Sequence, residues 1–201
     1  MKPAGEVRII GGQWKRSKLP VSAVPGLRPT PDRVRETLFN WLGQDLTGLR
    51  CVDAFAGTGA LGFEAASRGA AQVRLFEQDR ALVQSMRTNA QRLGASTVTV
   101  DATEALRGMQ SLPLGVWDVV FLDPPFVPLA AKMATPNNEP LFRQALAAAL
   151  ALLAPAGVVY LEAPRFWTDD DLAPLGLECV KNGRAGQVHY HLLQRAGNQG
   201  G

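Results

Sequence analysis

Cys51-Val52-Asp53-Ala54-Phe55-Ala56-Gly57-Thr58-Gly59-Ala60-Leu61-Gly62 decides the fold. A short apolar run ends in an acid. Two glycines then let the backbone turn tightly, and an Ala/Leu-rich segment opens a helix. Outward from this stretch the texture alternates. Residues 51–54, 72–77, 97–100, 116–122 and 158–162 read as strands, and residues 60–68, 80–93 and 141–153 as helices between them. That β-α-β-α order predicts an α/β domain, a mostly parallel sheet with helices on both faces. Residues 177–181 and 188–194 around Asn182-Gly183 predict a closing antiparallel hairpin.

The 201 residues suit one domain of ordinary size, and 46% of them are hydrophobic. No apolar run reaches the roughly 20 residues of a membrane span. The start has no apolar core of a signal peptide, so the expected compartment is the cytoplasm. Cys51 and Cys179 are too few for a secreted disulfide framework. The net charge of +3 is unevenly placed. Residues 1–50 hold nine Lys/Arg against four Asp/Glu, and the rest twelve against fourteen. A basic arm on a near-neutral body is a pattern of polyanion binders. The arm reads as a short extended unit over residues 5–22 and a Pro/Gly-rich connector over 20–29. Thr30 and Pro31 then suit the cap and first turn of a helix. Val34, Leu38, Trp41 and Leu42 form that helix's apolar stripe.

Gly57-Thr58-Gly59-Ala60-Leu61-Gly62 matches G-x-G-x-x-G, and Glu77 ends the second strand where a carboxylate can hold ribose hydroxyls. A dinucleotide site is therefore one reading. Asp53 argues for another, because a pyrophosphate at this turn would meet its negative charge. S-adenosylmethionine carries a sulfonium and an ammonium, which an acid favours. The plain alternative is that Asp53 only caps the turn. Asp101-Ala102 follows the third predicted strand and can accept from an adenine amino group or cap a helix over 103–109. Phe55, Phe76 and Gln78 are candidates to flank the adenine.

Trp117-Asp118-Val119-Val120-Phe121-Leu122-Asp123-Pro124-Pro125-Phe126 is the most specific string in the chain. An apolar strand runs into Asp123, and two prolines fix an extended turn. Prolines donate no N–H, so the turn offers only acceptors, which suits an exocyclic amino group with two donors. Phe126 supplies a face on which a planar base can stack. The plain alternative is a rigid turn beside a core phenylalanine.

Together, Asp53-x-Phe55-x-Gly57-x-Gly59 and Asp123-Pro124-Pro125-Phe126 resemble the class I S-adenosylmethionine-dependent amino-methyltransferases. The first half narrows the resemblance. Arg8-Ile9-Ile10-Gly11-Gly12-Gln13-Trp14-Lys15-Arg16, Gly26-Leu27-Arg28-Pro29-Thr30 and Asp32-Arg33-Val34-Arg35-Glu36-Thr37 are similar to the bacterial 16S rRNA guanine-N2 methyltransferase family, as is Gly186-Gln187-Val188-x-Tyr190. The resemblance implies a Rossmann-like domain over 30–196 with a seven-stranded sheet, after a basic extension over 1–29 and before a tail over 197–201. It implies methylation of one guanine amino group in small-subunit rRNA, within an assembling 30S particle, by a monomer. Asp53, Phe55, Gly57, Gly59, Glu77, Gln78, Asp101 and Ala102 would hold S-adenosylmethionine. Asp123, Pro124, Pro125 and Phe126 would hold the base. Arg8, Lys15, Arg16, Lys18, Arg28, Arg33 and Arg35 are the candidate phosphate contacts. Residues 127–140 depart from the family by a long Pro/Asn-rich stretch.

Competing readings remain: an amino-methyltransferase for adenine in DNA or another RNA, or for a protein glutamine; an NAD-dependent oxidoreductase; and an inert RNA-binding assembly factor, since fold does not dictate activity. His189 and His191 share a strand face, but no Cys/His set has metal-site spacing, and no metal is expected. Neither cysteine lies beside the Asp-Pro-Pro turn, which argues against a covalent cysteine mechanism.

Overall fold

The structure, a computed structural model, describes residues 5–21, 30–125 and 138–197. In chain order its elements are β1 (Gly5–Arg8), β2 (Lys18–Val21), α1 (Asp32–Trp41), β3 (Arg50–Asp53) and α2 (Ala60–Ser67). There follow β4 (Gln72–Glu77), α3 (Arg80–Leu93), β5 (Val98–Ala102), α4 (Ala105–Gln110), β6 (Trp117–Leu122) and α5 (Glu139–Leu152). The last are β7 (Leu153–Ala163), α6 (Asp169–Leu172), β8 (Leu177–Ala185) and β9 (Val188–Arg195).

Seven strands form one sheet in the order β5-β4-β3-β6-β7-β9-β8. The pairs from β5 to β7 are parallel, and β9 runs antiparallel to both β7 and β8. The expected α/β architecture is the observed one. Central strands are apolar on both sides because both faces are covered. Cys51, Val119 and Phe121 pack in one core with Val34 and Leu38 of α1, Phe63 of α2 and Met86 of α3. Val52, Val120 and Leu122 pack in a second core with Met109 of α4 and Phe142 and Leu146 of α5. The strand order reverses between β3 and β6. In open α/β sheets a ligand crevice opens beyond the carboxyl ends of the strands at such a point.

Three local expectations need correction. The C-terminal hairpin turns at Gly186 and Gln187, with Ala185 paired to Val188, and not at Asn182-Gly183. Those two residues lie inside β8, opposite His191 and Tyr190. A side chain at 183 would come within 2.4 Å of the Tyr190 ring, so this glycine makes room for a ring and does not form a turn. Thr30 does not cap α1. Pro31 stands at the cap position, and the Thr30 hydroxyl donates to Glu162 instead (2.8 Å). Asp101 caps no helix; α4 is capped by Glu104, whose carboxylate accepts from the Leu106 and Arg107 amides.

The first described strands, β1 and β2, form a separate antiparallel pair. Val7, Ile9 and Leu19 are buried in the same core as α1, α2 and α3. The Pro20 carbonyl accepts from Ser85 Oγ (2.9 Å) and Asn89 Nδ2 (3.3 Å) of α3. The connector between β1 and β2 is held by Glu64 of α2, which is 0% exposed. Its carboxylate accepts the Ile10 and Gly11 amides (2.8 Å each) and pairs with Arg68 (2.8 Å) and with Arg35 of α1 (3.5 Å). Taking such charges out of water is costly, and it is repaid only when the pairing is complete. Glu64→Ala takes one of two carboxylates from the buried Arg35 guanidinium and leaves the Ile10 and Gly11 amides without their acceptor. It should cost about 3–5 kcal/mol in denaturant unfolding, and Glu64→Gln clearly less; equal losses would show that the charge does not matter.

Candidate active site

β3 and β6 end side by side. Asp53 is in register with Phe121, and the Ala54 amide donates to the Phe121 carbonyl (3.1 Å). Side chains two apart on a strand share a face. Asp53 therefore points with Cys51, and Asp123 with Phe121 and Val119, toward the face covered by α1 and α2. The two acids meet at one edge of the sheet.

Asp53 is 3% exposed, and its Oδ2 accepts the Gly62 amide in the first turn of α2 (3.0 Å). Burial pushes its carboxyl up to about 7, with the Gly62 bond opposing and the Glu77 and Glu162 charges adding. Between Asp53 and α2 the chain turns through Gly57 (φ 52°) and Gly59 (φ 77°), left-handed values that glycine adopts without strain. Glu77, at the tip of β4, closes the turn from the other side. Its two oxygens accept the Gly57 amide (3.0 Å) and the Asp79 amide (2.8 Å). Protein carboxylates thus occupy amides that a pyrophosphate would need. The donor set here is acidic, which fits a cationic ligand.

Asp123 is half-buried. Burial raises its carboxyl well above the usual range, with the Glu162 and Asp53 charges adding. Pro124 is buried and Pro125 exposed. Phe126 lies outside the described residues. On the cofactor side, Phe55 is half-buried, and Gln78 and Ala102 are exposed. Asp101 lies within β5 and pairs with Arg74 (2.7 Å). Phe76 is enclosed in the core, so it cannot flank an adenine.

The basic candidates separate by exposure. Lys15, Arg16, Lys18 and Arg33 are exposed, and Arg8 bonds Asp32 from the surface (3.0 Å). Arg28 lies outside the described residues. Arg35 is 1% exposed and committed to Asp32 (2.6 Å), Glu64 and the Arg8 carbonyl (2.9 Å), so it cannot reach a phosphate. The sequence placed it on the arm by its charge, whereas the helix turns it inward. His191 is a buried core histidine that accepts the Trp167 amide (3.1 Å), and burial pushes its ring down to about 4. No metal-holding cluster occurs among the described residues. Two surface cavities, about 470 and 400 Å³, lie away from the strand tips, lined by Gly115, Pro155 and Arg195 and by Lys15, Asn40 and Arg68.

Glu162 went unremarked in the sequence. It ends β7's apolar run as Asp53 and Asp123 end theirs, and that shared pattern was the available signal. Its hydroxyl partners, Thr30 and Tyr160, lie 132 and 2 residues away, and no local pattern marks the first.

The profile of the family described as conserved hypothetical protein 95 matches residues 7–194. Ribosomal RNA small subunit methyltransferase D of Escherichia coli (strain K12) is 50% identical over 125 residues, 61% of this chain and 62% of that one. That match therefore spans less than two thirds of the relative's length. The Haemophilus influenzae protein of the same name is 38% identical over 202 residues, 94% of each chain. The solved structure of "putative methyltransferase yhhF" from Escherichia coli has a TM-score of 0.78 at 39% identity, covering 95% of this chain and 98% of that one.

Asp53 generates a prediction independent of any ligand. Its carboxyl sits near 7 when folded and near 3.8 in its unperturbed state. The native state therefore holds its proton more tightly, and that stabilisation is full below about pH 4 and lost as pH rises through about 7. Asp53→Asn keeps an acceptor for Gly62. It should raise the denaturant midpoint at about pH 8.5, with the gain vanishing toward pH 4. A gain of equal size at both ends would refute the burial argument.

Proposed function

The chain belongs to the conserved hypothetical protein 95 family, and from that premise we propose that it is an S-adenosylmethionine-dependent rRNA methyltransferase. Its substrate is the exocyclic N2 amino group of a guanine in 16S rRNA. It acts as a monomer on the assembling 30S subunit, and a ribosomal substrate implies a cytoplasmic enzyme. One observation carries the reading: Asp53 and the Asp123-Pro124-Pro125 turn end adjacent parallel strands on the same face, at the reversal point of the sheet. The names of the relatives support the ribosomal substrate.

S-adenosylmethionine supplies a methyl group on a sulfonium that leaves as a neutral thioether. The chain's own residues do the rest. Asp53 and the Gly57–Gly59 turn line the place for a cationic donor, and Glu77, Gln78, Asp101 and Ala102 extend it along the tips of β4 and β5. Asp123 and the carbonyls of the proline turn accept from the amino group's two N–H bonds. Holding those bonds aims the nitrogen lone pair and favours positive charge developing there. Phe126, next in the chain, offers a stacking face. The base leaves its own stack to reach this edge. Exposed Lys15, Arg16, Lys18, Arg33 and Arg8 supply phosphate contacts from the basic arm.

The deciding experiment is methyl transfer from labelled cofactor to small subunits lacking the modification, with the labelled nucleotide mapped. Label on a guanine N2 is expected, and label on a pyrimidine carbon or on protein would overturn the reading. Asp123→Ala should abolish transfer while leaving the binding of S-adenosylhomocysteine within about threefold, a small change in free energy. Lys15→Glu with Lys18→Glu should weaken RNA binding and lower the salt slope by about one for each phosphate no longer neutralised. An unchanged slope would move the RNA surface elsewhere.

A further inference from the structure

Glu162 is the third acid at this edge, and the transfer step as drawn so far makes no use of it. Leu122 of β6 is in register with Leu161 of β7, so Asp123 and Glu162 follow as neighbours at the tips of parallel strands about 4.8 Å apart. Tyr160 and Glu162 share a strand face, and Tyr160 packs in the α1-side core with Phe121. Glu162 is 5% exposed, and its Oε1 accepts two hydroxyls, Thr30 Oγ1 (2.8 Å) and the Tyr160 hydroxyl (3.0 Å).

The groups around it are Asp123 from β6, Asp53 from β3, Tyr160 on its own strand, Tyr190 opposite on β9, and Thr30 ahead of α1. Arg35 is the cation held beside Thr30, whose carbonyl accepts from its Nε (3.2 Å), and its terminal nitrogens are committed elsewhere. Among the described residues no Lys or Arg pairs with any of the three acids. Burial raises both Asp123 and Glu162. Two donors on one oxygen favour the ionised form of Glu162, while the Glu162 charge drives Asp123 further up. Two neighbouring buried carboxyls with no cation cannot both be charged at low cost.

We propose that Asp123 and Glu162 hold one proton between them, with Asp123 touching the substrate amine and Glu162 acting as the positioning residue that lets the pair take up the proton the reaction releases. The inference rests on the methyl-transfer reading. In the step, the amine lone pair forms the N–C bond as the C–S bond breaks, with its electron pair left on sulfur. The nitrogen is then one proton too rich. Asp123, ionised at the moment of transfer, accepts that proton, the Glu162 charge beside it strengthens its hold on it, and the proton then leaves to water.

The test is the pH dependence of kcat at saturating cofactor and small subunits. Glu162→Gln keeps an acceptor for both hydroxyls but removes the second charge. Asp123 then ionises more easily, so the acid limb should move down by about one pH unit or more, with both KM values within about twofold. A limb that superimposes on that of the wild type in an active, folded variant overturns the proposal. A second measurement needs no folded variant at 162. In wild-type protein carrying 13C-labelled carboxyls, two side chains besides Asp53 should titrate in coupled steps above the ordinary carboxylate range. Asp123→Asn should leave one of them titrating singly. Two independent titrations in the ordinary range overturn the pair. If the wild type methylates no small subunit, the functional reading fails by itself, and the titration still decides whether the proton is shared.

Discussion

Where β3 runs beside β6, the strand order of the sheet turns back on itself, and two parallel strands deliver their carboxyl ends to the same edge. The candidate chemistry depends on that pairing. The backbone bond from Ala54 to the Phe121 carbonyl fixes how far each strand projects. The pleat then fixes which side chains face α1. A slip of one residue in β6 would send Asp123 to the opposite face, among Trp117's neighbours in the other core. Burial of Val52, Val120 and Leu122 on that opposite face makes the slip costly, so packing far from the edge sets the position of the acids.

A second buried charge organises the other end of the site. Glu64 gathers two backbone amides of the β1–β2 connector, Arg68 of its own helix and Arg35 of α1. Arg35 in turn holds the carbonyl of Thr30, whose hydroxyl reaches Glu162. A chain of polar contacts thus runs from the basic arm to the strand tips. Every link is buried or half-buried, where a missing partner is expensive. The α1 start is therefore fixed by its bonds to the sheet and α2, in place of the hydroxyl cap its sequence suggested.

Much of the candidate site was legible in the chain. Asp53 and Asp123 each end an apolar run and precede a turn, and those local patterns survive folding unchanged. Arg35 misled for a physical reason: charge counts residues, whereas α1 exposes Arg33 and buries Arg35 two positions on. Phe76 misled likewise, since strand parity sends it into the core beside Gly108. Glu162 was missed because one of its two hydroxyl partners, Thr30, comes from a distant segment.

Alternating apolar runs and helical stripes by themselves determined the α/β architecture, the glycine turn and the acid at each strand tip, because those features depend on periodicity and on residues next to one another. Which tips stand together, which arginine is withdrawn from solvent, and where the last hairpin turns were decided by the tertiary structure. Those outcomes rest on contacts between segments far apart in the chain: a tyrosine ring over Gly183, a glutamate under Arg35, and a threonine hydroxyl 132 residues from its acceptor.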